Sequence, residues 1–402
     1  MNHNIEHLNH RFQLMEVMNK IVFFSGFILL VLIICPIVTA YDERAVQYYD
    51  EGVDFAKPGQ FTEAVASYDK AIAINPDYFE AWTGRGLALR KLGRYSDAIA
   101  SYDKAIAINP DYAEAWFGRG LSLGILDRHT EALASFDKVI AINPDYFEAW
   151  TGRGLELGML GRYSEALASF DKVIAINPNV AEVWYGRGLS LGILDRHTEA
   201  VASYDKAIAI NPDYAEAWYN RGLQLGILDR HTEAVASYDK AIAINPDYAK
   251  AWYARGFSLR LLDRHTEAVA SYDKAIAINP DYAKAWYGRG FSLSILGRYT
   301  EAVASYDKAI AINPNDAELW YVRGLTLGKL DRHTEAVASY DKAIAIIPNY
   351  TEARFYREIA RVELEEQTPT TPTTPTTPLL YAPIGAIVLM AGIAVLSQRR
   401  AL

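Results

Sequence analysis

The sequence predicts an all-α solenoid of stacked helical hairpins with apolar segments at both ends of the chain. Three observations predict it. Asn-Pro recurs at 75–76, 109–110, 143–144, 177–178, 211–212, 245–246, 279–280 and 313–314, always 34 residues apart. All eight tryptophans, Trp82, Trp116, Trp150, Trp184, Trp218, Trp252, Trp286 and Trp320, keep the same period. Within each period the apolar residues fall at helical spacing.

The stretch 79–112 serves as the example repeat. Trp82, Gly86, Leu89 and Leu92 share one face of a first helix, expected over about 80–92. Ala98, Ile99, Tyr102, Ala105 and Ile106 share one face of a second, expected over about 97–108. Asp77 stands three residues before Glu80, a capping-box spacing in which each side chain satisfies an orphan backbone N–H. Ser96, with Asp97 behind it, is placed to cap the second helix. Gly93-Arg94 turns the chain, and Asn109-Pro110 ends the repeat because proline disfavours helix in the residue before it. Gly86 is expected to face Ala98 so that the two helices approach closely. A single hairpin cannot bury this apolar face, whereas neighbouring hairpins can.

The set Trp82, Gly86, Leu89, Tyr95, Ala98, Tyr102, Ala105 and Pro110 resembles the tetratricopeptide repeat (TPR) pattern. The likeness covers nine repeats over 45–350, the first of them degenerate, with Tyr48 in place of tryptophan. It implies a right-handed superhelical solenoid. Residues 351–367 follow as a polar-faced capping helix. One departure is regular: Arg85, Arg119, Arg153, Arg187, Arg221, Arg255, Arg289 and Arg323 stand where the family often has an apolar residue. They read as snorkelling arginines beside acids of neighbouring repeats, with a ligand-binding ladder as the alternative.

The two ends suggest a location. Residues 21–40 are apolar throughout, follow Arg11 and Lys20, and end in Val38-Thr39-Ala40. That pattern fits a signal peptide, 1–40, or an N-terminal membrane anchor. Cys35, the chain's single cysteine, lies inside it, so no disulfide framework is expected. Residues 368–378, TPTTPTTPTTP, form a Thr/Pro stalk. Residues 379–396 are apolar and uncharged, the pattern of a transmembrane helix, and Arg399-Arg400 lie in a short cytoplasmic tail, 397–402. Basic residues outside both apolar stretches place the repeats on the extracytoplasmic face of a membrane. Asn349-Tyr350-Thr351 is a single glycosylation sequon.

The net charge of −9 and pI near 5.5 argue against nucleic acid as a partner. No phosphate loop, zinc-type Cys/His spacing or nucleophile elbow is present. Only 52 residues follow 350, all assigned to cap, stalk and anchor. No enzyme activity and no cofactor is therefore expected. The string Asp-Arg-His-Thr-Glu recurs and carries His129, His197, His231, His265 and His333. Its histidines take a position held elsewhere by Tyr95, Tyr163 and Tyr299, which reads as a turn and packing site rather than a metal site.

The family resemblance implies that first helices line a concave groove for a protein or extended peptide. By position the groove carries Phe117, Tyr185, Tyr219, Tyr253, Tyr287 and Tyr321, with Thr83 and Thr151 in two repeats. One turn further stand Leu87, Leu121, Leu155, Leu189, Leu223, Phe257, Phe291 and Leu325. The tyrosines would form an aromatic track. Charge changes sign along it: Glu80, Glu114, Glu148, Glu182 and Glu216 precede Lys250 and Lys284, then Glu318, with Arg260 in the basic part. These same positions also suit ordinary solvated first turns. The Lys/Asn clamp by which some chaperone-binding TPR modules hold a C-terminal carboxylate is absent. Three functions are thus carried forward: a membrane-anchored scaffold binding a protein or peptide, a structural or self-associating surface spacer, and a glycan binder.

Overall fold

The computed structural model describes residues 43–367; the leader, stalk and terminal apolar segments predicted above lie outside the described residues. Nineteen α-helices and no strand occur among the described residues. They fall into two compact bodies, divided after Pro212.

The N-terminal body contains α1 (Glu43–Ala56), α2 (Phe61–Ile74), α3 (Phe79–Lys91), α4 (Tyr95–Ile108), α5 (Ala113–Ile125), α6 (His129–Ile142), α7 (Phe147–Met159), α8 (Tyr163–Ile176), α9 (Ala181–Ile193) and α10 (His197–Ile210). The C-terminal body contains α11 (Ala215–Ile227), α12 (His231–Ile244), α13 (Ala249–Leu261), α14 (His265–Ile278), α15 (Ala283–Ile295), α16 (Tyr299–Ile312), α17 (Ala317–Gly328), α18 (His333–Ile346) and α19 (Thr351–Gln367). Odd-numbered helices are the first of each hairpin, and every hairpin packs on the next within its body.

The core of each hairpin is one aromatic ring of the second helix. Phe136 is fully buried between two first helices. A Cβ built on Gly120 would lie 2.9 Å from its ring, and one built on Gly152, in the next repeat, 2.7 Å. Tyr102 sits in the same way between Gly86 and Gly118, Phe170 between Gly154 and Gly186, and Tyr272 between Gly256 and Gly288. The atoms nearest to Gly86 are those of the Tyr102 ring, which reaches across the hairpin against the bare backbone.

The two helix starts also differ from expectation. The first helix begins at Phe79 with Tyr78 as its N-cap and no side-chain cap bond. Asp77 is used earlier: its amide donates to Asn75 Oδ1 at 3.1 Å, closing an Asx turn. The second helix begins at Tyr95, which puts Ser96 inside the first turn rather than at the cap. The reason lies in the preceding turn. Gly93 has φ +76°, and the amide of Arg94 donates to the carbonyl of Leu89 at 2.9 Å, a Schellman closure that leads straight into the next helix. Asp127, Asp195, Asp229, Asp263 and Asp331 take the same left-handed conformation where glycine is missing.

Two polar ties repeat. The Trp252 indole N–H donates to the carbonyl of Pro246 at 2.9 Å, and six other tryptophans do the same with their own Asn-Pro turn. This holds the loop against the first helix at a net worth of about 1 kcal/mol per bond. The regular arginines tie three helices together. Arg153 Nε donates to Asp137 of the preceding repeat at 2.7 Å, its NH1 donates to Ser169 of its own second helix at 2.7 Å, and its guanidinium lies 5.7 Å from the Trp150 ring centre. They are thus ion-paired with acids of the preceding repeat.

Helix α19 continues this network, since Arg357 donates to Asp341 at 3.0 Å. It occupies the place of a tenth first helix. Where α17 carries Trp320, Gly324 and Leu327 toward its partner helix, α19 carries Arg354, Glu358 and Arg361, so no further hairpin face is offered.

Two glycines of α7 separate the roles of this residue. Gly158→Ala should stabilise by up to about 1 kcal/mol, because a Cβ there meets nothing within 4 Å and alanine is the better helix former. Gly154→Ala, one turn earlier, should destabilise by about 1–3 kcal/mol, because its Cβ falls 2.7 Å from the buried Phe170 ring. Amide hydrogen exchange in α7 and α8 should slow in the first variant and quicken in the second.

Candidate partner-binding face

On each first helix, residues spaced three, four and three apart share one face. In α13 these are Lys250, Tyr253, Phe257 and Arg260, and in α15 they begin Lys284, Tyr287 and Phe291. In α11 they begin Glu216, Tyr219 and Leu223; in α19 they are Glu352, Phe355, Ile359 and Val362. The groove residues read from the sequence thus do fall on one helix face in each repeat.

How much of each side chain is left for a partner varies. Phe117, Tyr185 and Tyr321 are buried, at 8%, 6% and 3% exposure, and offer almost no ring surface. Tyr219, Tyr253, Tyr287, Phe257 and Phe291 are half-buried, as are Glu182 and Glu216, while Lys250 and Lys284 are exposed. Leu121 is also buried and Leu87 exposed. The predicted track is therefore broken into partial rings.

The cause is a residue the sequence reading did not use. In the C-terminal body the tyrosine two residues after the turn proline lies against the groove tyrosine. Tyr248 packs at a tilt on Tyr219 at 4.9 Å, Tyr282 on Tyr253 at 5.0 Å and Tyr350, after Ile347-Pro348, on Tyr321 at 5.1 Å between ring centres. Tyr146 meets Phe117 edge-on at 5.1 Å in the N-terminal body. The tyrosine that recurs two residues after most turn prolines was the available signal.

Charges on this face are held in different ways. The Tyr287 hydroxyl donates to Glu318 Oε1 at 2.8 Å, and burial together with that carboxylate pushes the phenol well above its ordinary value. Burial likewise raises the carboxyl pKa of Glu80 and of Glu148. Arg260 lies between two rings, 4.8 Å from the centre of Phe257 and 4.9 Å from that of Phe291.

The recurring histidines open second helices. His129 Nδ1 is 2.7 Å from Glu156 Oε2, and Asp127 lies 3.5 Å from its Nε2. Burial lowers the His265 pKa. Among the described residues no three His, Cys, Asp or Glu side chains are grouped to hold a metal ion.

Tetratricopeptide-repeat family models match 49–113, 89–147, 147–180, 193–226, 215–248, 237–270, 258–294, 292–331 and 317–350. These matches cover well over half of the chain, which belongs to the tetratricopeptide repeat family. Its repeats thus form the kind of scaffold that serves protein–protein interaction. An uncharacterized protein of Methanocaldococcus jannaschii is 40% identical over 48 residues, 12% of this chain; the chain spans 56% of that relative's length. Among solved structures, the C-terminal part of a TPR repeat-containing protein from Cytophaga hutchinsonii is 16% identical, with TM-score 0.52 over 60% of this chain and 98% of that one, and shares the fold. YrrB, a TPR protein with an unusual peptide-binding site, is 25% identical with TM-score 0.44 over 47% of this chain and 97% of its own. MamA is 26% identical with TM-score 0.40, over 43% and 95%.

A pH experiment tests the burial of Glu148. Its pKa is raised in the fold, so the native state favours the protonated carboxyl. Stability tied to this group is present in acid and falls as pH rises above the ordinary carboxylate value. Glu148→Gln should therefore stabilise the protein at pH 7 and leave it unchanged near pH 3.5, as read by urea midpoints at the two pH values.

Proposed function

We propose that the chain is a membrane-anchored scaffold outside the cytoplasm, which binds a protein or extended peptide along the first-helix face of its repeats. The observation that carries this reading is the end of the C-terminal body. Phe355 and Val362 of α19 stay 54% and 55% exposed, in register with the half-buried Tyr253 and with Arg260. An apolar row left open on α19, on the helix face that carries partial tyrosine rings and exposed lysines in α13 and α15, suits a macromolecular partner.

The ends of the sequence support the location. Both apolar stretches, 21–40 and 379–396, have basic residues on the side away from the repeats, and a Thr/Pro stalk separates the second from α19. In this reading the stalk holds the repeats off the bilayer and the groove faces other envelope components. The same exposed row on α19 also favours a second reading, self-association of copies into a surface spacer.

The test is crosslinking in intact cells with the full chain, beside a variant carrying Lys250→Glu, Lys284→Glu and Phe355→Asp. All three positions are exposed, so the fold should survive. A protein crosslinked to the native chain and lost from the variant is the expected result. Crosslinks between copies alone would favour the spacer. A Cys35→Ser, Lys274→Cys chain should react with a membrane-impermeant maleimide on unbroken cells; labelling only after permeabilisation would place the repeats inside and end the surface reading.

A further inference from the structure

Arg260 is unlike the other arginines of its neighbourhood. Arg255 donates to Asp239 at 2.6 Å and Arg264 to Glu267 at 2.7 Å. Arg260 has no carboxylate within ion-pair distance among the described residues. Its position in the repeat is held by glycine in α11 and α17 (Gly226 and Gly328) and by Ser294 in α15, so no neighbouring long side chain competes for the space. Its guanidinium carbon lies 4.8 Å from the ring centre of Phe257 on its own helix and 4.9 Å from that of Phe291 on the next first helix, and the group faces the buried Tyr272 hydroxyl.

Two rings this close to the guanidinium narrow the directions from which a partner can reach it. Its five N–H donors lie in one plane, and Tyr272 meets only part of that edge. The ligand that fits the remaining edge is a planar two-oxygen acceptor, taken through two parallel hydrogen bonds. Packing against two rings also restricts the side chain in advance, which lowers the entropy lost on binding. Lys250 and Lys284 are exposed on the same face, at the other end of the same two helices.

We propose that Arg260, packed against Phe257 and Phe291, is a docking anchor for an Asp or Glu side chain of an acidic peptide, with Lys284 taking a second acidic residue. Lys284 stands at the repeat position of Lys250, ten residues before that of Arg260, which is about 15 Å along a helix. An extended peptide covers that distance in four or five residues at about 3.3 Å each. The recognition element is therefore a pair of acidic residues four or five apart with apolar residues between them. This rests on the first-helix face being the binding face.

A randomised 12-residue peptide library, panned on the full chain in detergent micelles, tests it. Enrichment of Asp/Glu pairs at that spacing is expected. Fluorescence anisotropy of a selected peptide should show binding weakened at least about tenfold by Arg260→Gln. Arg260→Lys should lose a similar factor, since an ammonium keeps the charge but neither stacks nor forks. Replacing the two peptide acids by Gln should do the same, while amidating the peptide's C terminus should change nothing. Loss of binding on amidation would make a chain terminus the ligand and overturn the proposal. Peptides that bind Arg260→Gln as tightly as the native chain, yet fail on Phe355→Asp, would overturn it and leave the binding face standing. Enrichment of no peptide at all would end both readings.

Discussion

A single ring in each second helix governs the architecture. Tyr102, Phe136, Phe170 and Tyr272 are each wedged between a glycine of their own repeat and one of the next. The wedge joins folding of a hairpin to its stacking, because the ring is fully covered only when the following first helix arrives. Glycine is disfavoured in helices by about 1 kcal/mol relative to alanine. In these repeats it is kept at the position facing the ring of its own hairpin because a methyl group there would collide with that buried ring; the position facing the preceding repeat's ring is less strict and carries Asn220, Ala254 or Val322 elsewhere.

The remaining repeat chemistry positions that wedge. The Asn-Pro turn folds on itself through Asn75 Oδ1 and is pinned to the next helix by the tryptophan indole. Arginine bridges from Asp of one repeat to Ser of the next second helix, partly screened by water, so each bridge contributes modestly and chiefly fixes orientation. At the inner turn glycine and aspartate both enter the left-handed region, and the residue two positions later changes with them: tyrosine follows glycine, and histidine follows aspartate, its Nε2 within 3.5–3.8 Å of that carboxylate. Variation at this turn therefore comes in pairs.

Most of the fold was legible in the sequence because period, turn and aromatic positions are local signals repeated nine times. The caps were not. A capping-box spacing is only a pattern, and here Asp77 was already committed to the Asn75 turn, while a Schellman closure brought the second helix forward past Ser96. The candidate face was legible as a face, since helical spacing fixes which side a residue occupies. Its exposure was not, because Tyr248, Tyr282 and Tyr350 come from loops whose path follows from tertiary packing. Arg260 stood out in sequence only by charge; its second ring contact depends on Phe291, thirty-one residues away, arriving at the same height on the next first helix.

The wedge also bears on how such a chain can change length. Where a ring meets glycine on both sides, the junction before and after a repeat is the same, so unequal crossing-over by 34 residues regenerates an identical seam. Asn220, Ala254 and Val322 stand where other repeats have the second glycine. Repeats ending at those seams have become specialised neighbours, and the C-terminal body is accordingly the part of the solenoid whose order is least free to be reshuffled.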